Sequence, residues 1–132
     1  MDTDFAVRLS DVFPDGRAVQ LQNGVLRARF REPHGDPALL EPGEVYRLEV
    51  DMWATANRFA AEHRIRVDIS SADFPRLDRN SNLGGAVGVS ISAEQRIYRD
   101  VDSPSHLVLS IVGPPLSFEM TKPTGTEHRA AG

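Results

Sequence analysis

The sequence predicts an all-β domain: an antiparallel, jelly-roll-like β-sandwich of about seven or eight short strands. Three observations carry this prediction. Apolar and polar residues alternate with a period of two in run after run, as half-buried strands require. Turn chemistry punctuates the runs at Pro14-Asp15-Gly16, Asn23-Gly24 and Pro42-Gly43. No stretch carries a convincing helical period.

The elements follow in order. Residues 4–12 set Phe5, Val7 and Leu9 against Ala6, Arg8 and Ser10, a strand pattern. Pro14 presets φ and Gly16 tolerates positive φ, so a turn follows. Residues 18–21 form a short strand, and Asn23-Gly24 is a hairpin dipeptide. Residues 25–31 make the next strand, with Leu26, Ala28 and Phe30 on one face and Arg27, Arg29 and Arg31 on the other. A polar loop runs to Gly43, anchored by Leu39 and Leu40, and ends in the turn Glu41-Pro42-Gly43-Glu44. Residues 45–53 are the longest alternating run, with Tyr46, Leu48, Val50 and Met52 on one face. Residues 54–62 fit a helical turn or a loop equally well.

Residues 64–70 alternate Ile65, Val67 and Ile69 with Arg64, Arg66 and Asp68. A long loop over 71–93 follows; Phe74 and Leu77, apolar among charges, are expected to fold back and pack. Residues 95–100 and 105–112 read as two more strands. The sandwich is expected over 1–113, a further strand over 114–121 from the alternation of Leu116, Phe118 and Met120, and a polar, disordered tail over 122–132.

Size and composition narrow the function classes. The chain has 132 residues, enough for one domain, with 40% hydrophobic and 26% charged residues. A net charge of −4 implies no overall basic face, so nucleic acid is not an expected partner. The chain has no cysteine, which excludes disulfides and thiolate metal sites. No run of about 18 apolar residues occurs, so no membrane-spanning helix is expected. The N-terminus lacks the basic and apolar regions of a signal peptide, and a cytoplasmic location is the expectation.

Several pieces of the sequence together resemble the C-terminal β-sandwich domain of the X-prolyl dipeptidyl-peptidase and cocaine esterase family of serine hydrolases. They are PDGRA, GVLRARFRE, LLEPGEVYRLEVDMW, HRIRVDISSADFPRLDRNSN and SPSHLVL, in the family's order over roughly residues 3–112. The resemblance implies the same sandwich fold. It also implies that the catalytic equipment lies in an α/β-hydrolase domain that this sequence lacks, along with the first strand or strands of the sandwich. Relatives use this domain to buttress the catalytic domain and shape the mouth of its pocket. The stretch over 84–94 looks shorter than in the family, and the end beyond Gly113 does not resemble it.

The candidate site residues divide into few groups. Arg27, Arg29 and Arg31 could form a basic stripe, a docking surface for an acidic protein or an anion; the plainer reading pairs them across the sheet with acids such as Glu49 and Asp51. Phe74, Arg76, Asp78 and Arg79 sit in the loop after the strand over 64–70. With Asp73, Asn80 and Asn82, they make either a self-capped loop or one that meets a ligand or partner. Trp53 is either a core or interface residue or a stacking platform for a sugar. His106, within SPSHLVL, is a structural histidine or a general base. Gly88-Val89-Ser90-Ile91-Ser92 approaches a nucleophile elbow but lacks its final glycine and a following helix. The histidines, His34, His63, His106 and His128, show no metal-binding spacing, and no metal or cofactor is expected.

These features support a non-catalytic accessory domain whose partner is an α/β-hydrolase domain. A second copy of the chain, completing an open sheet, is the rival partner. A free-standing sandwich binding a sugar or small molecule is the alternative function, and a small enzyme with a newly acquired site the least supported.

Overall fold

In a computed structural model of the chain, residues 1–33, 35–85 and 88–113 are described. The fold is all-β and antiparallel, with one three-residue 3-10 turn as its helical element among the described residues. The chain divides into two compact units, Met1–Gln95 and Arg96–Gly132.

The first unit is built on a three-stranded sheet: β1 (Asp4–Val12), β2 (Ala18–Arg27) and β3 (Arg64–Ser70), in spatial order β2-β1-β3. The alternation over 4–12 and 64–70 thus becomes strand as expected. β1 pairs antiparallel with both neighbours, from Asp4↔Arg27 to Val12↔Ala18 on one side and from Ala6↔Ser70 to Val12↔Arg64 on the other. Its central place explains its burial: Ala6, Val7, Leu9 and Val12 form the core with Ala28, and Leu9 is only 2% exposed. Burying such a leucine is worth about 2 kcal/mol. β3 is an edge strand with all seven residues exposed, Ile65, Val67 and Ile69 included.

The turn between β1 and β2 forms as its chemistry requires. The Gly16 amide donates to the Phe13 carbonyl at 2.9 Å, and Phe13 and Arg17 close the loop at 2.8 Å. Gly16 takes φ 87°, in the left-handed region. The turn at residues 41–44 also forms, with the Glu44 amide donating to the Glu41 carbonyl and Gly43 at φ 90°.

Asn23-Gly24 does not turn. β2 runs straight through it, Asn23 opposite Arg8 and Gly24 opposite Val7. The glycine serves a nonlocal contact instead: the carbonyl of Asp51 occupies the space where a Cβ on Gly24 would project. A Cβ stands out from the sheet face, so the segment over 45–53 crosses the face of β2 rather than lying beside it. It therefore joins no ladder, although its residues alternate. Irregularity in the pairing falls at Leu21, an extra residue between Leu9↔Gln22 and Ser10↔Gln20.

The predicted strand over 25–31 stops at Arg27 and continues as a 3-10 turn, Ala28–Phe30. Residues 54–62 hold no helix, and a turn closes them from His63 N–H to the Ala60 carbonyl at 3.2 Å.

Of the strands expected over 95–100 and 105–112, neither forms: one isolated bridge, Arg99↔Pro104, touches the first, and residues 105–112 take no regular structure. Between Arg99 and Pro104 the Asp100 carboxylate accepts from the Asp102 and Ser103 amides at 3.1 and 2.7 Å, the local competition that turns the chain. The strand expected over 114–121 and the tail over 122–132 lie outside the described residues.

Candidate functional site

The predicted arginine row is not a row. Because the strand gives way to a 3-10 turn after Arg27, the three guanidinium groups diverge, and each finds its own partner. Arg27 holds the Asp4 carboxylate through two hydrogen bonds, Nε to Oδ1 at 2.9 Å and Nη2 to Oδ2 at 3.0 Å, and reaches Asp78 at 3.3 Å. The hydrogen bonds that Arg27 donates to Asp4 raise its pKa further above its ordinary value, against the desolvation that lowers it. Arg29 pairs with Asp2, whose side chain is fully buried. Arg31 donates to the Ala28 and Ala38 carbonyls and lies 4.8 Å over the Tyr46 ring. The acids are thus Asp2, Asp4 and Asp78 rather than Glu49 and Asp51, because β1, not the segment over 45–53, runs beside β2.

Around these pairs lies a closed polar junction. The Asn80 amide donates to Asp4 at 2.6 Å and to Asp2 at 3.1 Å. Asp2 also accepts the Arg29 backbone N–H at 3.0 Å, which helps fix the 3-10 turn. Gln95 donates to the Thr3 hydroxyl and to the Asp4 carbonyl. Buried carboxylates persist only when paired and hydrogen-bonded in this way. Asp2 and Asp4 were invisible as site residues in the sequence; their one local signal is a spacing of two at the start of an alternating run.

A second cluster gathers at the middle of β2. Gln22, Asn23, Gly24, Val25, Trp53, Ala54 and Arg76 line an open groove of ≈ 700 Å³. The Gln22 amide donates to the Ala54 carbonyl at 3.1 Å. Trp53 is 81% exposed and sits at φ 62°. That conformation costs a bulky residue about 1 kcal/mol or more. The Asp51 carboxylate accepts the Trp53 N–H at 2.7 Å and holds it there. Arg76 donates to Asn23 at 3.0 Å and to Asp73 at 2.6 Å. Arg8 shares the same Asp73 carboxylate. The hydrogen bond from Arg8 and then that from Arg76 hold the Asp73 carboxyl below the usual carboxylate range.

The structure thus brings Trp53 and Arg76 together, and separately Arg27 and Asp78. Phe74 does not fold back: it is 71% exposed, while Leu77 is half-buried. Leu77 and Asp78 line a smaller hollow of ≈ 250 Å³ with Asp4, Val25, Arg27 and Phe30. The loop does cap itself in part, through Asn80 Oδ1 to the Asn82 amide at 3.0 Å. Arg79 is exposed in that loop. His106 belongs to the second unit, exposed, its Nδ1 3.4 Å from the Pro104 carbonyl. His63 is the histidine with a built environment, its Nδ1 2.9 Å from Asp11 and its ring 4.4 Å from that of Phe13. His34 and His128 lie outside the described residues.

None of this assembles reactive chemistry among the described residues. Ser90 is exposed on a segment without regular structure. No group of three His, Cys, Asp or Glu side chains among the described residues is placed to hold a metal ion. No helix among them is long and apolar enough to cross a membrane.

Comparison with known proteins supplies the family. Over 117 residues the chain is 48% identical to the cocaine esterase of Rhodococcus sp., a match that takes in 85% of the chain and 20% of the esterase. It is 31% identical over 130 residues to a provisionally named serine esterase of Mycobacterium bovis, and equally to one of Mycobacterium tuberculosis; both matches cover 86% of the chain and 19% of the relative. The chain therefore spans about a fifth of the length of these relatives. Residues 1–108 match the X-Pro dipeptidyl-peptidase C-terminal non-catalytic domain. With that match covering most of its length, the chain belongs to this family of C-terminal, non-catalytic β-domains.

Proposed function

We propose that this domain is an accessory module that packs against an α/β-hydrolase domain and shapes the mouth of its pocket, without performing chemistry itself. The observation that carries this reading is the match of residues 1–108 to a domain described as non-catalytic, within esterases of which it forms only about a fifth. The closed Asp2–Asp4–Arg27–Asn80 junction supports it too, since these charges are spent on holding the domain together. A cytoplasmic location is part of the proposal.

The test is co-expression with the portion of the Rhodococcus cocaine esterase that lies outside the matching segment. Ester hydrolysis that appears only in the mixture, with the two chains co-purifying, is the expected result. Full turnover by the 132-residue chain alone would refute the proposal.

A second reading rests on the open groove beside Trp53, which could take a sugar ring or other small molecule. A thermal-shift screen of glycans and metabolites tests it, and the absence of any stabilisation would dismiss it. Pairing with a second copy along the exposed β3 edge is the alternative to a hydrolase partner, and the solution mass decides it.

A further inference from the structure

We infer that Trp53 is a projecting anchor that seats in a pocket of the hydrolase domain; this rests on the accessory role proposed above. The chain invests specific residues in presenting this side chain. Gly24 leaves room for the Asp51 carbonyl to cross the face of β2. Gln22 ties down the Ala54 carbonyl on the far side of Trp53. The Asp51 carboxylate then holds the Trp53 N–H, fixing a left-handed backbone that bulky residues rarely adopt. Strain maintained by the surrounding structure, at a residue that buries little surface of its own, points to a role outside folding.

The shape decides between a small ligand and a protein surface. A small molecule needs a concavity that covers roughly 70–90% of it. The groove beside Trp53 is open, and the indole stands out from it, 81% exposed. Phe74, two residues before the groove residue Arg76, projects likewise at 71%. Exposed aromatic side chains beside an arginine have the composition of the few residues that dominate protein interfaces, where such knobs fill pockets on the partner. Arg8 and Arg76 share the single Asp73 carboxylate, and the Asp51 carboxylate on the Trp53 N–H balances the remaining positive charge, so the knob stands in a locally neutral surround. The partner's surface is therefore an apolar pocket that takes the two aromatic side chains. The relatives supply the occupant, because about four-fifths of their length lies outside the matching segment.

The test uses Trp53→Gly, which removes the indole and relieves the left-handed strain together. The chain has one tryptophan, so 5-fluorotryptophan labelling gives a single fluorine resonance for Trp53. With the separately produced, unlabelled Rhodococcus esterase portion as partner, we expect the Trp53→Gly dissociation constant to rise at least tenfold, although the variant alone melts within a few degrees of the parent. We also expect the fluorine resonance to shift on complex formation. Val89→Ala, exposed and not part of the groove lining, should bind within twofold of the parent. A parental complex in which Trp53→Gly binds within twofold, or in which the fluorine resonance does not move, overturns the anchor while leaving the accessory role intact. A parental chain that forms no complex overturns both.

Discussion

Two regions of the first unit use the same residue types to opposite ends. At the start of β1, Asp2, Asp4, Arg27 and Arg29 are buried or half-buried, and each is paired. At the middle of β2, Asp51, Asp73 and Arg76 surround an aromatic side chain left in solvent. The first region converts charge into fixed geometry: a carboxylate with no water left must keep its arginine and its amide donor. The second uses charge to hold up something that is itself unpacked. Charged residues beside a strand therefore carry no functional meaning by type alone; what separates the two regions is whether the hydrogen bonds end on one another or support an exposed group.

The largest effect should come from breaking the first region. Asp4→Ala leaves the Arg27 guanidinium only its longer contact to the exposed Asp78 and removes an acceptor from Asn80, and should cost about 3 kcal/mol in urea unfolding. A loss below about 1 kcal/mol would mean that the junction is solvated rather than closed. Gly24→Ala comes next. Its methyl would meet the Asp51 carbonyl, so the backbone must shift, at about 2 kcal/mol, and acrylamide quenching of the single tryptophan should change with it. Unaltered quenching would show that the crossing does not position Trp53.

Asp73 offers a pH test of the second region. Its carboxyl is held low in the folded chain by Arg8 and Arg76. A depressed folded pKa gives stability that is present above the unfolded value of about 4 and is lost as pH falls through the folded value. Asp73→Asn should therefore lower the urea midpoint at pH 7 and flatten its decline below about pH 4. The smallest effect belongs to Trp53→Gly. Losing the strain is offset by a more flexible unfolded chain, so stability should stay within about 1 kcal/mol of the parent. A large loss would place the indole in the core.

The sequence made much of the sheet legible, and the reasons differ by element. The alternation in β1 and β3 was readable because strand period is a local property. The turn at Pro14-Asp15-Gly16 was readable because φ preferences are local as well. The continuity of β2 through Asn23-Gly24 was not, since the reason for that glycine lies at Asp51, far along the chain. The arginine row failed for the same kind of reason: the Asp2 side chain takes the Arg29 N–H and bends the strand. Residues 45–53 show that alternation assigns faces but does not choose a neighbour. Trp53 was legible as a residue to watch; its backbone conformation was hinted at only by an acid two positions before it.

The order β2-β1-β3 also sets how the chain must assemble. β1 and β2 are joined by a tight turn and can zip within microseconds, whereas β3 pairs with β1 only after a long intervening stretch has closed, with Ala6 meeting Ser70. Until then β1 presents a bare row of amides and carbonyls along one side, with Val7 and Leu9 nearby. The last step of folding is thus also the moment of greatest exposure to aggregation, and the yield of refolding should fall as chain concentration rises.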